Sequence, residues 1–313
     1  MNRKVLISSY HMNQVLEDYI DLFNQYNIEM DTIIINPSVN ESKLLPIISK
    51  YDGVICSDDE FTANVLRKAT KLKVISKWGT GLDSIDTEVA KKNDIKIYNS
   101  PGAFSESVSL YVWGMILVLT RKLLLIDSMV RGNTWSKAEG RTLAGKTIGV
   151  IGVGNIGKLV IGAGIGFQMK TLVNDVKKIN KTFLKKFNAR QVSKSTLLKE
   201  SDIIVLCVDL NQTSYHLISN NEFKMMKKDS YLINVSRGPV VDEDALVLAL
   251  SNDLIAGAGL DVFEQEPLSG DSKLRKLKNC ILSSHNAYNT YEAVKYVHDN
   301  TVNNLLKGLG CFN

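Results

Sequence analysis

The sequence predicts an α/β protein of two doubly wound parallel-sheet units, one inserted into the other. Three observations carry this. Short apolar runs alternate with helix-spaced stretches through both halves of the chain, the pattern of a parallel sheet covered on both faces. Gly152, Gly154 and Gly157 stand in G-x-G-x-x-G spacing between one such run and a helical stretch. The turn Asn99-Ser100-Pro101-Gly102 separates the two runs of alternation, and a last helical stretch is expected to cross back to the first unit. The 313 residues suffice for two cores.

Taken in order, Lys4 to Ser8 reads as a strand, Val15 to Tyr26 as a helix and Thr32 to Ile35 as a β-branched strand. Leu44 to Ile48 reads as a short helix, Gly53 to Cys56 as a strand, Ala63 to Ala69 as a helix and Val74 to Ser76 as a strand. Lys96 to Tyr98 closes the first sheet. Glu106 to Leu125 reads as one long helix, apolar on most faces and so buried between domains or subunits. The Trp135 segment is a loop. Strands follow at Thr147 to Ile151, Thr171 to Val173, Ile203 to Val208, Tyr231 to Val235, Ile255 to Leu260 and Ile281 to Ser284. The final helix runs from Thr290 to Leu309.

The glycine turn has chemical meaning because of what surrounds it. Gly152 permits the tight exit from the strand, Gly154 lets the backbone approach a pyrophosphate, and Gly157 lets the helix pack on the strand. The helix N-terminus, at Asn155 and Ile156, offers free amides to that anion. Asp175 lies 18 residues past Gly157, at the end of the next strand, where a carboxylate can accept from ribose hydroxyls. It should also repel a 2′-phosphate, favouring NAD over NADP, with Lys177 and Lys178 leaving room for dual use. Gly162, Gly164 and Gly166 alternate further on; close helix packing, with Gly166 as C-cap, accounts for them.

Composition excludes several classes. The chain is 44% hydrophobic and 23% charged with net charge +5, and its charges are mixed, so no basic block points to nucleic acid. No signal segment or run of 18 apolar residues points to a membrane. Four scattered cysteines argue for reduced thiols of a cytoplasmic protein and against a zinc site. Asp58-Asp59-Glu60 reads as a solvated loop rather than a metal site.

Polar residues stand out at three strand ends, where open parallel sheets bind ligands. Arg237 follows the Tyr231 to Val235 strand and offers a fork for a carboxylate. Asp261, Glu264 and Glu266 follow the next strand, and His285 the one after. No metal-ligand spacing is present.

On GVIGVGNIGK, INVSRGPVVDEDAL, GAGLDVFEQEP and the histidine after LSS, the chain resembles the D-isomer-specific 2-hydroxyacid dehydrogenases over nearly its whole length. Lys77 to Asp86 is similar to that family's substrate-domain glycine loop. The resemblance implies a Rossmann NAD-binding domain over 101–288, inserted into a flavodoxin-like substrate domain of 1–100 and 289–313. It implies that Arg237 binds the substrate carboxylate beside the keto group, that His285 is the general acid, and that Glu266, rather than Glu264, pairs with it. Thr80, Asp261, Val208, Val235 and Ser236, with Arg237 and His285, would line the cofactor site. Lys77 and the amides around Gly79, Thr80 and Gly81 would meet the substrate. A homodimer is implied as well.

The match departs in places. His285 is followed by Asn286-Ala287-Tyr288-Asn289-Thr290, where the family often has I-x-G-x-T. Cys56-Ser57 lacks the arginine that phosphoglycerate dehydrogenases commonly carry there, although the glycine loop looks most like that subgroup. Leu110 replaces a frequent glutamate, and the chain stops at Asn313 with no room for a regulatory domain. The resemblance leaves open a phosphorylated or a small unphosphorylated hydroxy acid as substrate. An NAD(H)-sensing corepressor of the same fold, and a protein with a vestigial site, are the alternatives from other classes.

Overall fold

The structure, a computed structural model, describes residues 3–35 and 38–312. The chain divides into two compact units, Met1–Phe104 with Thr290–Asn313, and Ser105–Asn289.

The first unit holds β1 (Arg3–Ile7), β2 (Ile28–Thr32), β3 (Gly53–Cys56), β4 (Val74–Lys77) and β5 (Lys96–Tyr98) in one sheet, ordered β2-β1-β3-β4-β5. Every pairing is parallel. This is the flavodoxin-like order, with its switch point between β1 and β3. Buried Leu6, Val54 and Ile75 pack on Leu44, Ile48, Phe61 and Leu66. The Tyr291–Gly308 helix packs on β3, β4 and β5 of this same unit. A Cβ on Gly308 would fall 2.2 Å from the Val74 side chain, so the glycine sets how close that helix comes.

Four expectations in this unit need correction. The second strand lies at Ile28–Thr32, not Thr32 to Ile35, because its register runs from Arg3↔Ile28 to Ile7↔Thr32 and β1 ends there. Only Ile33 N still reaches Ile7 O, and Ile34 is 69% exposed. Val15 to Tyr26 is a 3₁₀ turn, Leu16–Tyr19, followed by a helix, Ile20–Gln25. The break falls at Tyr19, whose hydroxyl donates to Asp299 Oδ1 at 2.6 Å. Leu44 to Ile48 is not a helix: one ends at Leu44 and a 3₁₀ turn begins at Ile48, with Pro46 between them unable to donate an amide. Finally, Asp58 to Glu60 is not simply solvated. Asp59 is fully buried and accepts from Ser8 Oγ (2.7 Å), Val39 N (2.7 Å) and Ser57 N (3.1 Å). The Thr87–Lys92 helix, capped by Asp86, was not anticipated.

The second unit holds β6 (Thr147–Ile151), β7 (Lys170–Asn174), β8 (Ala189–Gln191), β9 (Ile203–Leu206), β10 (Tyr231–Asn234), β11 (Gly257–Leu260) and β12 (Cys280–Leu282). The order is β12-β11-β10-β9-β6-β7-β8, parallel throughout. Counted within the unit, this is the dinucleotide-binding order 3-2-1-4-5-6 with one further strand, and its switch point lies between β6 and β9. The short edge strand β8 was not anticipated; β6 has its expected bounds, and the other strands differ from expectation by a residue or two at their ends.

Two expectations here also fail. The helix expected over Glu106 to Leu125 is two, Ser105–Arg121 and Leu123–Arg131, bent by 61° about Lys122 in the left-handed region (φ 54°). The cause is a crossing segment: Thr120 O accepts Arg141 N at 2.8 Å, and Gly140 lies so close that a Cβ there would be 2.9 Å from that oxygen. The first helix is buried against the Asn155–Gly164 helix, β10 and β11; none of the second is buried. Gly166 is not a C-cap, since the helix ends at Gly164 and the left-handed residue beyond it is Gln168 (φ 56°). Gly164 does serve close packing, with Trp113 3.5 Å from where its Cβ would be. Among the described residues no single helix is long and apolar enough to cross a membrane.

Candidate active site

The cradle at the carboxyl end of β6 follows from its glycines. Gly152 is left-handed (φ 92°), and a Cβ on it would lie 2.4 Å from Cys207 O. A Cβ on Gly157 would lie 2.1 Å from Gly152 O, so only glycine lets the helix start this close to the strand. Gly154 differs: nothing stands within 4 Å of its Cβ position. It is the N-cap of the Asn155–Gly164 helix and brings no capping side chain, so the first-turn amides of Asn155 and Ile156 are not closed by one. This open, cationic cradle fits a dinucleotide pyrophosphate. Asp175, just after β7, accepts from Val153 N and Lys177 N, both at 2.8 Å, which fixes its carboxylate beside the glycine turn. Across the switch point, Val208 N donates to Ser236 Oγ at 3.1 Å, and the Val208 side chain approaches the Gly152 Cβ position to 2.9 Å. Val235 and Ser236 are buried beside them.

Beyond β10 the chain turns on Asn234. Its side chain accepts from Ser236 N (3.1 Å) and donates to Arg237 O (3.0 Å), presenting Arg237 beyond the carboxyl end of β10, with Nη1 on Ser236 O at 2.9 Å. Asn234 heads a stretch that stands out in the sequence but takes no role there; an amide side chain closing an apolar strand is the signal that could have assigned one. At Gly238 a Cβ would fall 1.8 Å from Phe263 C, so the Arg237 loop presses directly on the chain that follows β11.

That second loop carries Asp261 and Glu266. Asp261 is buried and accepts from Asn286 N (2.8 Å) and Ala287 N (3.1 Å), while its carbonyl accepts His285 N at 2.7 Å. It thereby builds the loop on which His285 stands in the left-handed region, φ 54°. Such a conformation in a non-glycine residue is strained and marks functional loops. Glu266 Oε1 accepts from Phe263 N at 2.9 Å, and Oε2 lies 2.7 Å from His285 Nδ1. With Nδ1 committed, Nε2 is the nitrogen left to serve a substrate. Burial pulls the His285 pKa down, but the hydrogen bond and charge of Glu266 outweigh burial and the nearby Arg237 cation, leaving it above its ordinary value. Glu264 pairs instead with His216 Nε2, at 2.8 Å. Tyr288, unremarked as a site residue in the sequence, stands edge-on to the His285 ring with centroids 6.3 Å apart.

The second unit therefore brings together the glycine turn, Asp175, Val208, Ser236, Arg237, Asp261, Glu266 and His285 at the carboxyl ends of neighbouring strands. Lys77, Gly79, Thr80 and Gly81 belong to the first unit. There Gly79 (φ 123°) accepts Ser100 N on its carbonyl, and Thr80 O accepts Asn99 Nδ2, which pins the loop. Lys77 is 2% exposed, and its Nζ meets Asp58 Oδ1 at 2.7 Å. His11 stacks on Trp78 with ring centroids 4.0 Å apart.

A parallel sheet in this order, opened by this glycine turn, defines a dinucleotide-binding unit. Comparison with known proteins specifies which. The NAD binding domain of the D-isomer specific 2-hydroxyacid dehydrogenases matches residues 113–287. A glyoxylate reductase of Thermofilum pendens is 38% identical over 274 residues, 85% of this chain and 81% of that one. Glyoxylate/hydroxypyruvate reductase B of Klebsiella pneumoniae is 32% identical over 302 residues, 95% of this chain and 91% of its own. The solved D-lactate dehydrogenase of Aquifex aeolicus, complexed with NAD and lactic acid, superimposes with a TM-score of 0.84 at 30% identity, covering 97% of this chain and 95% of that one. The chain belongs to the D-isomer-specific 2-hydroxyacid dehydrogenase family, NAD-dependent oxidoreductases that interconvert 2-hydroxy and 2-keto acids.

Proposed function

We propose that this protein reduces glyoxylate, or an unphosphorylated 2-keto acid of similar size, and that Arg237, Glu266 and His285 carry the reaction. The observation that carries the reading is the His285 Nδ1 to Glu266 Oε2 contact of 2.7 Å, on a loop adjoining Arg237. When bound, NADH would supply the hydride. Arg237 grips the substrate carboxylate with its planar fork and draws electron density from the adjacent carbonyl. His285 donates its Nε2 proton to the carbonyl oxygen, while Glu266 holds the ring orientation and stabilises imidazolium. Gly152, Gly154, Asn155, Ile156 and Gly157 hold the pyrophosphate; Asp175 takes the ribose; Thr80, Val208, Val235, Ser236 and Asp261 complete the cofactor contacts. Gly79, Thr80 and Gly81 contribute amides to the substrate.

A phosphorylated substrate needs a second cation, and the Lys77 charge is already met by Asp58. The glyoxylate reductase of Thermofilum pendens, at 38% identity, supports the same reading. The test is NADH oxidation by the purified protein against glyoxylate, hydroxypyruvate, pyruvate and phosphohydroxypyruvate. Turnover confined to the first three is expected. Preference for phosphohydroxypyruvate would overturn the substrate assignment, and no turnover of any would overturn the residue roles. We place the protein in the cytoplasm as a homodimer, from its reduced thiols and from the exposed apolar Leu123–Arg131 helix.

A further inference from the structure

We propose that His216 is a positioning residue that ties the Arg237 loop to the Glu266 loop and so keeps Glu266 aimed at His285. The inference rests on the acid–base roles given above to Glu266 and His285. The two loops leave neighbouring strands, β10 and β11, whose ladder ends at the pair Asn234↔Leu260. Beyond that pair one amide bond, Asp261 N to Asn234 O at 3.0 Å, continues the ladder, and then the loops need other ties.

His216 supplies one from each of its halves. Its main-chain N–H donates to Pro239 O at 2.8 Å, two residues past Arg237. Ile218, two residues on, forms an isolated parallel bridge with Val241, which anchors the segment. Its ring reaches the other way, with Nε2 2.8 Å from Glu264 Oε1, two residues before Glu266. The backbone is left-handed at His216 (φ 47°), a conformation a histidine adopts at a cost unless its surroundings hold it. The Tyr215 ring lies stacked on it, with centroids 4.1 Å apart.

The partner side of the tie is equally specific. Glu264 and Glu243 exchange bonds: Glu264 N donates to Glu243 Oε1 at 2.6 Å, and Glu243 N donates to Glu264 Oε1 at 3.3 Å. Phe263 N donates to Glu266 Oε1 at 2.9 Å, so residues 263 to 266 form one small turn whose far corner carries the catalytic carboxylate. The turn concentrates negative charge. Burial raises the Glu243 pKa, the Glu264 amide opposes that, and the charges of Glu264, Asp244 and Glu266 add to it. The His216 ring adds a side-chain partner to this set, at Glu264 Oε1. Without it Glu264 is left against Glu243, and repulsion opens the turn that aims Glu266. The groups acting on His285 itself are Glu266, Arg237 and Asp261.

An exposed ion pair is worth little to stability, so a merely structural pair would leave the pH profile untouched. The experiment compares His216→Asn, Glu264→Ala, Glu264→Gln and Glu266→Gln in steady-state glyoxylate reduction across pH, with thermal midpoint and NADH affinity measured alongside. Asparagine tolerates the left-handed backbone but cannot span to Glu264. In His216→Asn and Glu264→Ala the basic limb of kcat should move down by about half a pH unit or more. In both, kcat should drop roughly tenfold through misplacement of Glu266. NADH affinity should hold, and the double variant should be no worse than either single one. Glu264→Gln, which keeps an acceptor for Nε2, should lie nearer wild type. A limb that moves in Glu266→Gln but stays put in His216→Asn overturns this proposal alone. A limb that stays put in Glu266→Gln overturns the acid–base reading and the proposal with it.

Discussion

At the scale of single residues, the chemistry turns on how one carboxylate balances one imidazole. Protonated His285 is the acid, so keto-acid reduction should be flat below its pKa and fall above it. Burial lowers that pKa, Glu266 raises it by more, and Arg237 lowers it again. Removing the Glu266 charge leaves the pull of Asp261, the last and smallest of these effects, against burial and Arg237, so Glu266→Gln should move the basic limb of kcat to lower pH. A limb in its wild-type place would refute the pairing. His285→Ala should cost reduction on the order of 100-fold or more, the scale of general acid catalysis. The glycines offer a separate check that needs no turnover. Gly154 has open space where a Cβ would stand, whereas Gly157 would drive one into Gly152 O. Gly154→Ala should therefore keep its thermal midpoint yet bind NADH roughly tenfold or more weakly, because the intruding methyl occupies pyrophosphate space. Gly157→Ala should instead lose about 1–3 kcal/mol of stability through overpacking. Titration by tryptophan fluorescence, beside thermal melts, separates the two. Equal affinity of Gly154→Ala and wild type would argue against the cradle.

At the scale of elements, what could be read in advance was whatever is encoded locally. β6 with its glycine turn, β10 running into Arg237 and β11 running into the acids are short apolar runs with their chemistry attached, and each lies where expected to within two residues. Three of the failures share one cause, a partner distant in sequence. Thr120 gives its carbonyl to Arg141 and the long helix bends; Tyr19 reaches Asp299 and a helix breaks; β2 takes its register from β1 rather than from its own β-branched residues. The pairing of Glu264 with His216 is of the same kind: spacing could not separate two acids two residues apart, and the fold does so by placing His216 beside one of them. Asp59 shows what such a partner is worth. An acid in a run of three reads as solvated, yet it holds together the segments after β1, β2 and β3 through Ser8, Val39 and Ser57. Asp59→Ala would strand those donors in the interior and should cost about 2–5 kcal/mol in urea unfolding. A loss below about 0.5 kcal/mol, the range of ordinary surface changes, would show that water replaces the carboxylate freely.

At the scale of the whole molecule, the apolar surface that the chain leaves uncovered has a physical consequence. The Leu123–Arg131 helix exposes Leu123, Leu124, Leu125 and Val130, and Trp135, just beyond it, is 90% exposed. Scattered apolar side chains on a surface need no explanation, but a contiguous group of them on one helix and its loop marks a contact site. The bend at Lys122 matters here, because it carries the second helix off the packed course of the first, which is buried against β10 and β11. A straight helix would have continued that course; the bent one presents leucines outward. A second copy of the chain is the occupant that the family resemblance implies, and an exposed tryptophan is the residue type that dominates such interfaces. The purified protein should therefore run as a dimer in size-exclusion chromatography with light scattering. Trp135→Glu combined with Leu124→Glu should shift it towards monomer, since two buried carboxylates without partners oppose association strongly. The substitutions lie on a surface that supports no core, so the far-UV spectrum should not change. A wild-type protein that is monomeric at micromolar concentration would exclude this interface. A dimer that survives both substitutions would place the contact on another face.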